Sequence, residues 1–216
     1  MADTKPSAFT PITALDGPEL LPVIESGPLN RVITVANLKA YVDQGVRNAS
    51  VTTPGAGFAS DTYLVGSSCA IPNGRLQAKT QYRVRFRVAK TAAGTAAPVI
   101  TVRIGTAGAI GDTSRAALTF AAQTAAIDDG IFEIWCTFRT VGSGTSAVLE
   151  ATGSLTHRQV ANASTGLANV AQSSANNVGG GFDSTVSNLI IGISVNGGAS
   201  AAWTITGVQA DLLNLT

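Results

Sequence analysis

From Val46 to the C-terminus, apolar and polar residues alternate in short runs separated by turn-forming clusters. In "QYRVRFRVA", Tyr82, Val84, Phe86 and Val88 share one side, and Arg83, Arg85 and Arg87 share the other. A period of two is the signature of a strand with one buried face. "PVITVRIG" repeats it with Ile100, Val102 and Ile104. "GIFEIWCTFRTV" sets Phe132, Ile134, Cys136 and Phe138 against Glu133, Trp135 and Thr137, and "SNLIIGISVNGG" aligns Leu189, Ile191, Ile193 and Val195. In "AAWTITGVQADLLN" the phase slips: Trp203 and Ile205 face inward, and after Gly207 the inward set becomes Val208, Ala210 and Leu212. One inserted residue at a glycine, a β-bulge, produces such a slip. Further strands are expected over 61–65, 115–121 and 146–155.

The first 45 residues read differently. Prolines at 18, 22 and 28 interrupt any helix and make poor central strands. Even so, Leu20, Leu21, Val23, Ile24, Leu29, Val32, Ile33 and Val35 make this stretch too apolar for a free linker. It is expected to be an extended arm laid on another surface. "TVANLKAYVDQG" then predicts one short helix: Thr34 caps it, Val35, Leu38 and Tyr41/Val42 share a face, and Gly45 ends it.

About eight one-faced strands without intervening helices must bury their apolar faces against one another. The expected architecture is all-β: an antiparallel jelly roll or plainer β-sandwich over 46–216, preceded by an extended arm and short helix over 1–45. The polar stretch 161–183 is expected to be a long excursion between strands.

Composition narrows the function. Only 12% of residues are charged while 45% are hydrophobic, which excludes a disordered chain. So sparsely charged a surface suggests partners that cover much of it. A net charge of +1 supplies no field for nucleic acid or an acidic membrane, and no apolar run reaches the length of a membrane span. No leader with a basic start and an apolar centre is visible, so a protein made in a cytoplasm is expected.

Candidate chemistry is sparse, and the chain is expected to be non-enzymatic, without metal or cofactor. His157 is the single histidine, and Cys69 and Cys136 lack the spacing of a zinc or redox pair. Asp128 and Asp129 before Gly130 read as a turn, and as a calcium pair only secondarily. "GTAGAIG" (105–111) lacks the spacing and the following helix of a phosphate loop. The Arg83, Arg85, Arg87 stripe reads as a solvated sheet face or, alternatively, as a contact with phosphates or an acidic protein. Trp135, on the outer side of its strand, is the stronger candidate for a contact anchor.

The segment "ITALDGPELLPVIESGPLNRVITVANLKAYV" resembles the N-terminal module of many tailed-bacteriophage virion proteins. The resemblance is carried by Leu15, Gly17, Glu19, Leu20, Pro22 and Val23, and then by Arg31, Val32, Thr34, Val35 and Leu38. It implies a virion structural protein whose leader docks on the particle, through Leu15, Leu20, Leu21, Val23, Ile24, Leu29, Val32 and Leu38, and whose β domain, commonly a trimeric jelly roll, projects from it. Capsid decoration or a head fibre is the first expectation, and a short tail, collar or baseplate fibre the second. Implied partners are further copies of the chain and the major capsid or tail/portal-proximal proteins. A host-surface glycan is a separate candidate ligand, through Trp135, Tyr63 or the 161–183 stretch.

Overall fold

The computed structural model describes residues 20–23, 31–34, 45–50, 55–157, 166–170, 172–198 and 200–215. The chain divides into two compact units, Met1–Gln44 and Gly45–Thr216.

In the first unit, β1 (Leu20–Val23) pairs antiparallel with β2 (Arg31–Thr34), placing Leu20 opposite Thr34 and Pro22 opposite Val32. The leader expected to be an extended arm therefore contains a two-stranded ribbon, which its sequence did not indicate. A two-stranded ribbon has only edge strands, and there a proline lacking its N–H is tolerated. Of the residues assigned to particle docking, Leu20, Leu21, Val23 and Val32 lie on this ribbon, whereas Leu15, Ile24, Leu29 and Leu38 lie outside the described residues. Thr34, expected to cap a helix, is the last residue of β2, and Gly45, expected to end it, opens the next strand; residues 35–44 lie outside the described residues.

The second unit is an antiparallel β-sandwich. Its strands are β3 (Gly45–Ser50), β4 (Gly55–Gly57), β5 (Thr62–Tyr63), β6 (Cys69–Ala70), β7 (Gln81–Lys90), β8 (Val99–Gly105), β9 (Thr113–Thr119), β10 (Asp128–Thr140), β11 (Val148–His157), β12 (Ser173–Val178), β13 (Ile190–Asn196) and β14 (Trp203–Leu213). One sheet runs β12-β11-β10-β7-β14-β3, with β4 also on β14, and the other runs β5-β13-β8-β9, with β6 on β13. The sandwich expectation holds, and nothing in this pairing order requires the jelly roll. No helix among the described residues is long and apolar enough to cross a membrane.

The alternating faces point as the sequence predicts. Tyr82, Val84, Phe86 and Val88 of β7, Phe132, Ile134, Cys136 and Phe138 of β10, and Ile100, Val102 and Ile104 of β8 are all buried in one core. Phe132 is its hub, stacked on Phe86 at 5.2 Å between centroids and met edge-on by Phe120 at 5.0 Å. Phe120 directly follows β9 of the opposite sheet, so this contact ties the two layers together. In β14 the register shifts between Thr206 and Val208, with Gly207 at φ +67°. The bulge lets both halves of one strand bury their apolar sets, Trp203 and Ile205 before it, Val208, Ala210 and Leu212 after it.

Two expectations need correction. The 161–183 stretch is not simply an excursion: β12 extends the larger sheet as its edge, while Leu167, Ala168 and Phe182 are core residues. Asp128 and Asp129 do not form a turn but begin β10, paired with Lys90 and Ala89.

Candidate functional site

The outward faces of six neighbouring strands of the larger sheet form a polar platform. Strand pairing sets its residues in rows. One row reads Arg47, Asp211, Arg83, Trp135, Thr152 and Asn176 from β3 to β12, and the next reads Ala49, Gln209, Arg85, Glu133, Ser154 and Ser174. Alternation on each strand sends these side chains outward because their neighbours are core residues.

Charge on the platform is arranged in cross-strand pairs. Arg47 meets Asp211 at 3.4 Å, Arg85 meets Glu133 at 3.4 Å, and Arg87 meets Asp129 at 3.2 Å. All are solvent-exposed and contribute at most about 1 kcal/mol each. Their effect is to fix long side chains and cancel charge locally. Arg83 differs: its guanidinium lies 4.2 Å from the Trp135 ring centroid and donates to Gln81 Oε1 at 2.6 Å. Its Nε is buried and has no hydrogen-bond partner among the described residues. Trp135 itself is 47% exposed. The sequence thus placed Arg83, Arg85, Arg87 and Trp135 correctly on one outer face. It gave no sign that Arg85 and Arg87 would be neutralised by β10, because register between distant strands is not written in either strand alone.

Shallow hollows run along this platform and share lining residues. One lies beside Trp135 between Glu133, Thr152 and Ser154; a second joins Arg83, Trp135 and Gln209; a third, beside the bulge, joins Arg87, Ile131, Gly207 and Gln209; a fourth lies between Arg47, Asn48 and Asp211. A Cβ added at Gly207 would meet nothing within 4 Å, so the bulge leaves open space there.

The reactive side chains elsewhere are committed to structure. His157 Nδ1 lies 3.0 Å from Asp128 Oδ2, and its Nε2 lies 3.0 Å from the Val170 carbonyl. A carbonyl only accepts, so Nε2 carries a proton. The same Asp128 oxygen accepts the Leu167 N–H at 2.9 Å, and both side chains are essentially fully buried. This arrangement clamps residues 166–170 onto the ends of β10 and β11. Beside it Lys90, 2% exposed, donates to the carbonyls of Thr91, Thr124 and Ala126, and desolvation lowers its pKa against the raising effect of Asp128. Lys90 gave no sequence signal, because on β7 it continues the apolar side of the alternation and reads as a strand end.

Cys69 and Cys136 are free, buried thiols; burial pushes Cys69 up to about 12 and raises Cys136 as well. In the 105–112 turn, the carboxylate of Asp112 accepts the N–H groups of Ala107 and Ala109. Amides that a phosphate loop would aim at an anion are therefore already occupied. Tyr63 packs over Gly192, where any Cβ would collide with the phenol; burial pushes its pKa up to about 12. It lies on the smaller sheet, apart from Trp135. Among the described residues no group of three or more His, Cys, Asp or Glu could hold a metal ion.

No family model and no curated protein matches the chain. Solved structures from infectious bursal disease virus resemble the chain weakly. The VP2 subviral particle of infectious bursal disease virus is 12% identical, with a TM-score of 0.26, over 95% of this chain and 50% of that one. The Gx strain structure of the same virus is 12% identical, with a TM-score of 0.23, over 92% of this chain and 46% of that one. The chain spans about half the length of the structures it matches. At these scores the likeness decides neither topology nor function.

Proposed function

We propose that this chain is a non-enzymatic virion structural protein of a tailed bacteriophage, docked on the particle through residues 1–45 and projecting its β-sandwich as a homotrimer. Capsid decoration or a head fibre is the role that suits it best. The observation that carries the reading is the division of labour along the chain. A sandwich with its own two-layer core follows a separate, proline-rich apolar leader whose residues resemble phage virion modules. An apolar leader gains about 25 cal/mol for each Å² of apolar surface it buries on a partner, and its prolines reduce the ordering cost. A non-enzymatic role is supported by the single histidine, both of whose nitrogens are engaged, and by the buried thiols, which are held protonated.

The test is binding of full-length protein to particles that lack it. Substituting Leu20, Leu21 and Val23 together by Asp is expected to lower occupancy at least tenfold while leaving the melting temperature of the sandwich unchanged. Full occupancy by that variant, or by a fragment of residues 46–216, would show that the leader is not the anchor.

A further inference from the structure

We infer that the outer platform of the larger sheet is a binding track for a neutral oligosaccharide lying across the strands, centred on Trp135. The inference stands independently of how the leader is anchored.

Shape is the first argument. The four hollows share Trp135, Gln209 or Asp211 with a neighbour, so they form one shallow open-ended path from β11 to β3. Five strands about 4.8 Å apart give it a length of roughly 19 Å. An open, elongated path fits an interior stretch of a polymer, whereas small molecules favour enclosed apolar pockets.

Chemistry selects among polymers. Three of the four arginines on the path are matched by Asp211, Glu133 and Asp129, and the fourth is engaged with Trp135. A polyanion such as nucleic acid or a sulfated glycan would find no net positive field. A protein partner normally meets an apolar centre. Here the platform's centre offers a single half-exposed tryptophan; Ile131 lines a neighbouring hollow, Val178 is exposed out on the edge strand β12, and Val65, Ile110, Ile127, Val170 and Val186 are exposed elsewhere. What remains is a dense set of fixed planar donors and acceptors (Arg, Glu, Asp, Gln) with Thr and Ser between them. Sugar hydroxyls, each able to donate and accept, suit this set, since two-pronged groups bridge vicinal hydroxyl pairs.

Trp135 supplies the complementary apolar contact. Its indole presents a flat surface for the C–H face of a pyranose, and Arg83, stacked at 4.2 Å, holds the ring in place. The Nε of the same Arg83 is buried without a hydrogen-bond partner among the described residues. Thr152, Ser154 and Glu133 flank the ring on the β11 side, and Gln209 and Asp211 lie toward β14.

The experiment presents full-length protein to an array of neutral, sialylated and sulfated glycans and follows the strongest ligand by calorimetry. Saturable binding of a neutral oligosaccharide is expected, little changed by added salt. Trp135→Ala should weaken it at least tenfold without lowering the melting temperature, Trp135→Phe should retain part of it, and Gln209→Ala should weaken it severalfold. Because Trp203 is buried and Trp135 half-exposed, ligand should also shift the fluorescence of the wild type but not of Trp135→Ala. Three outcomes would overturn the inference: no glycan retained, retention of charged glycans alone with release by salt, or undiminished binding by both Trp135→Ala and Gln209→Ala.

Discussion

Cys69 and Cys136 show how burial sets the behaviour of a side chain here, with the charge of Asp211 adding to it at Cys69. Each thiol sits in the core with its pKa raised, because a thiolate there would lose its hydration. A raised folded-state pKa means that the native protein holds its proton where the unfolded chain, titrating near 9, has released it. Stability is therefore complete below pH 9 and falls as pH rises from 9 toward 12. At pH 10 the loss is expected to be about 1 kcal/mol per thiol relative to pH 8, measured by urea unfolding at the two pH values. Replacing both cysteines by Ala should flatten that dependence even though it lowers stability at pH 8. An unchanged slope would show that other groups, such as the buried Tyr82 whose pKa is also raised, dominate the alkaline response.

Among the elements, β14 does the most. It lies between β7 and β3 in the larger sheet and also pairs with β4, and its bulge decides which side chains enter the core. Gly207 is at φ +67°, a conformation that L-residues adopt at a cost, most of all β-branched ones. Gly207→Val is expected to cost about 2 kcal/mol from backbone strain. Gly207→Asn, whose side chain tolerates that region, should cost about 1 kcal/mol or less. Deleting Gly207 should do far more, since a one-residue slip would turn either Trp203 and Ile205 or Val208, Ala210 and Leu212 toward solvent. Denaturant unfolding of the three variants checks the order: Asn mildest, then Val, with the deletion unfolded. Equal losses for Asn and Val would show that the bulge is not held by its backbone conformation. The slip was legible in the sequence as a change of phase at a glycine. By contrast, β12 was not legible, because "SSANNV" has no apolar alternation; as an edge strand it needs only backbone pairing to β11.

For the whole molecule, the sandwich carries two open questions of association, the edges of its sheets and the sparse charge of its surface. The proposed homotrimer predicts a solution mass three times the 21.8 kDa of the chain, read by sedimentation equilibrium across a range of concentrations. A monomer at every concentration would remove the trimer from the functional proposal. Such a monomer would leave the glycan inference intact, since all of the platform's side chains belong to one chain. Trp135 and the arginine stripe were visible from alternation, and the structure placed them on one face. The hollows around them depend on Thr152 and Ser154 of the next strand, β11, and on Gln209 and Asp211 of β14, far along the sequence. No local pattern marks those four as neighbours of Trp135.

What the sequence determined by itself is whatever follows from a period of two: the all-β class, the inward set of each long strand, and the bulge in β14. Alternation is a local property, enforced by the need to hide one face of each strand. Tertiary structure alone decided which strands became neighbours. It therefore decided which charges cancel across β7 and β10, which polar groups clamp His157 and Lys90, and which edge β12 completes. Those outcomes depend on register between segments separated by tens of residues. Each is fixed by the packing of the shared core, Phe132 at its centre, and not by any one stretch of chain.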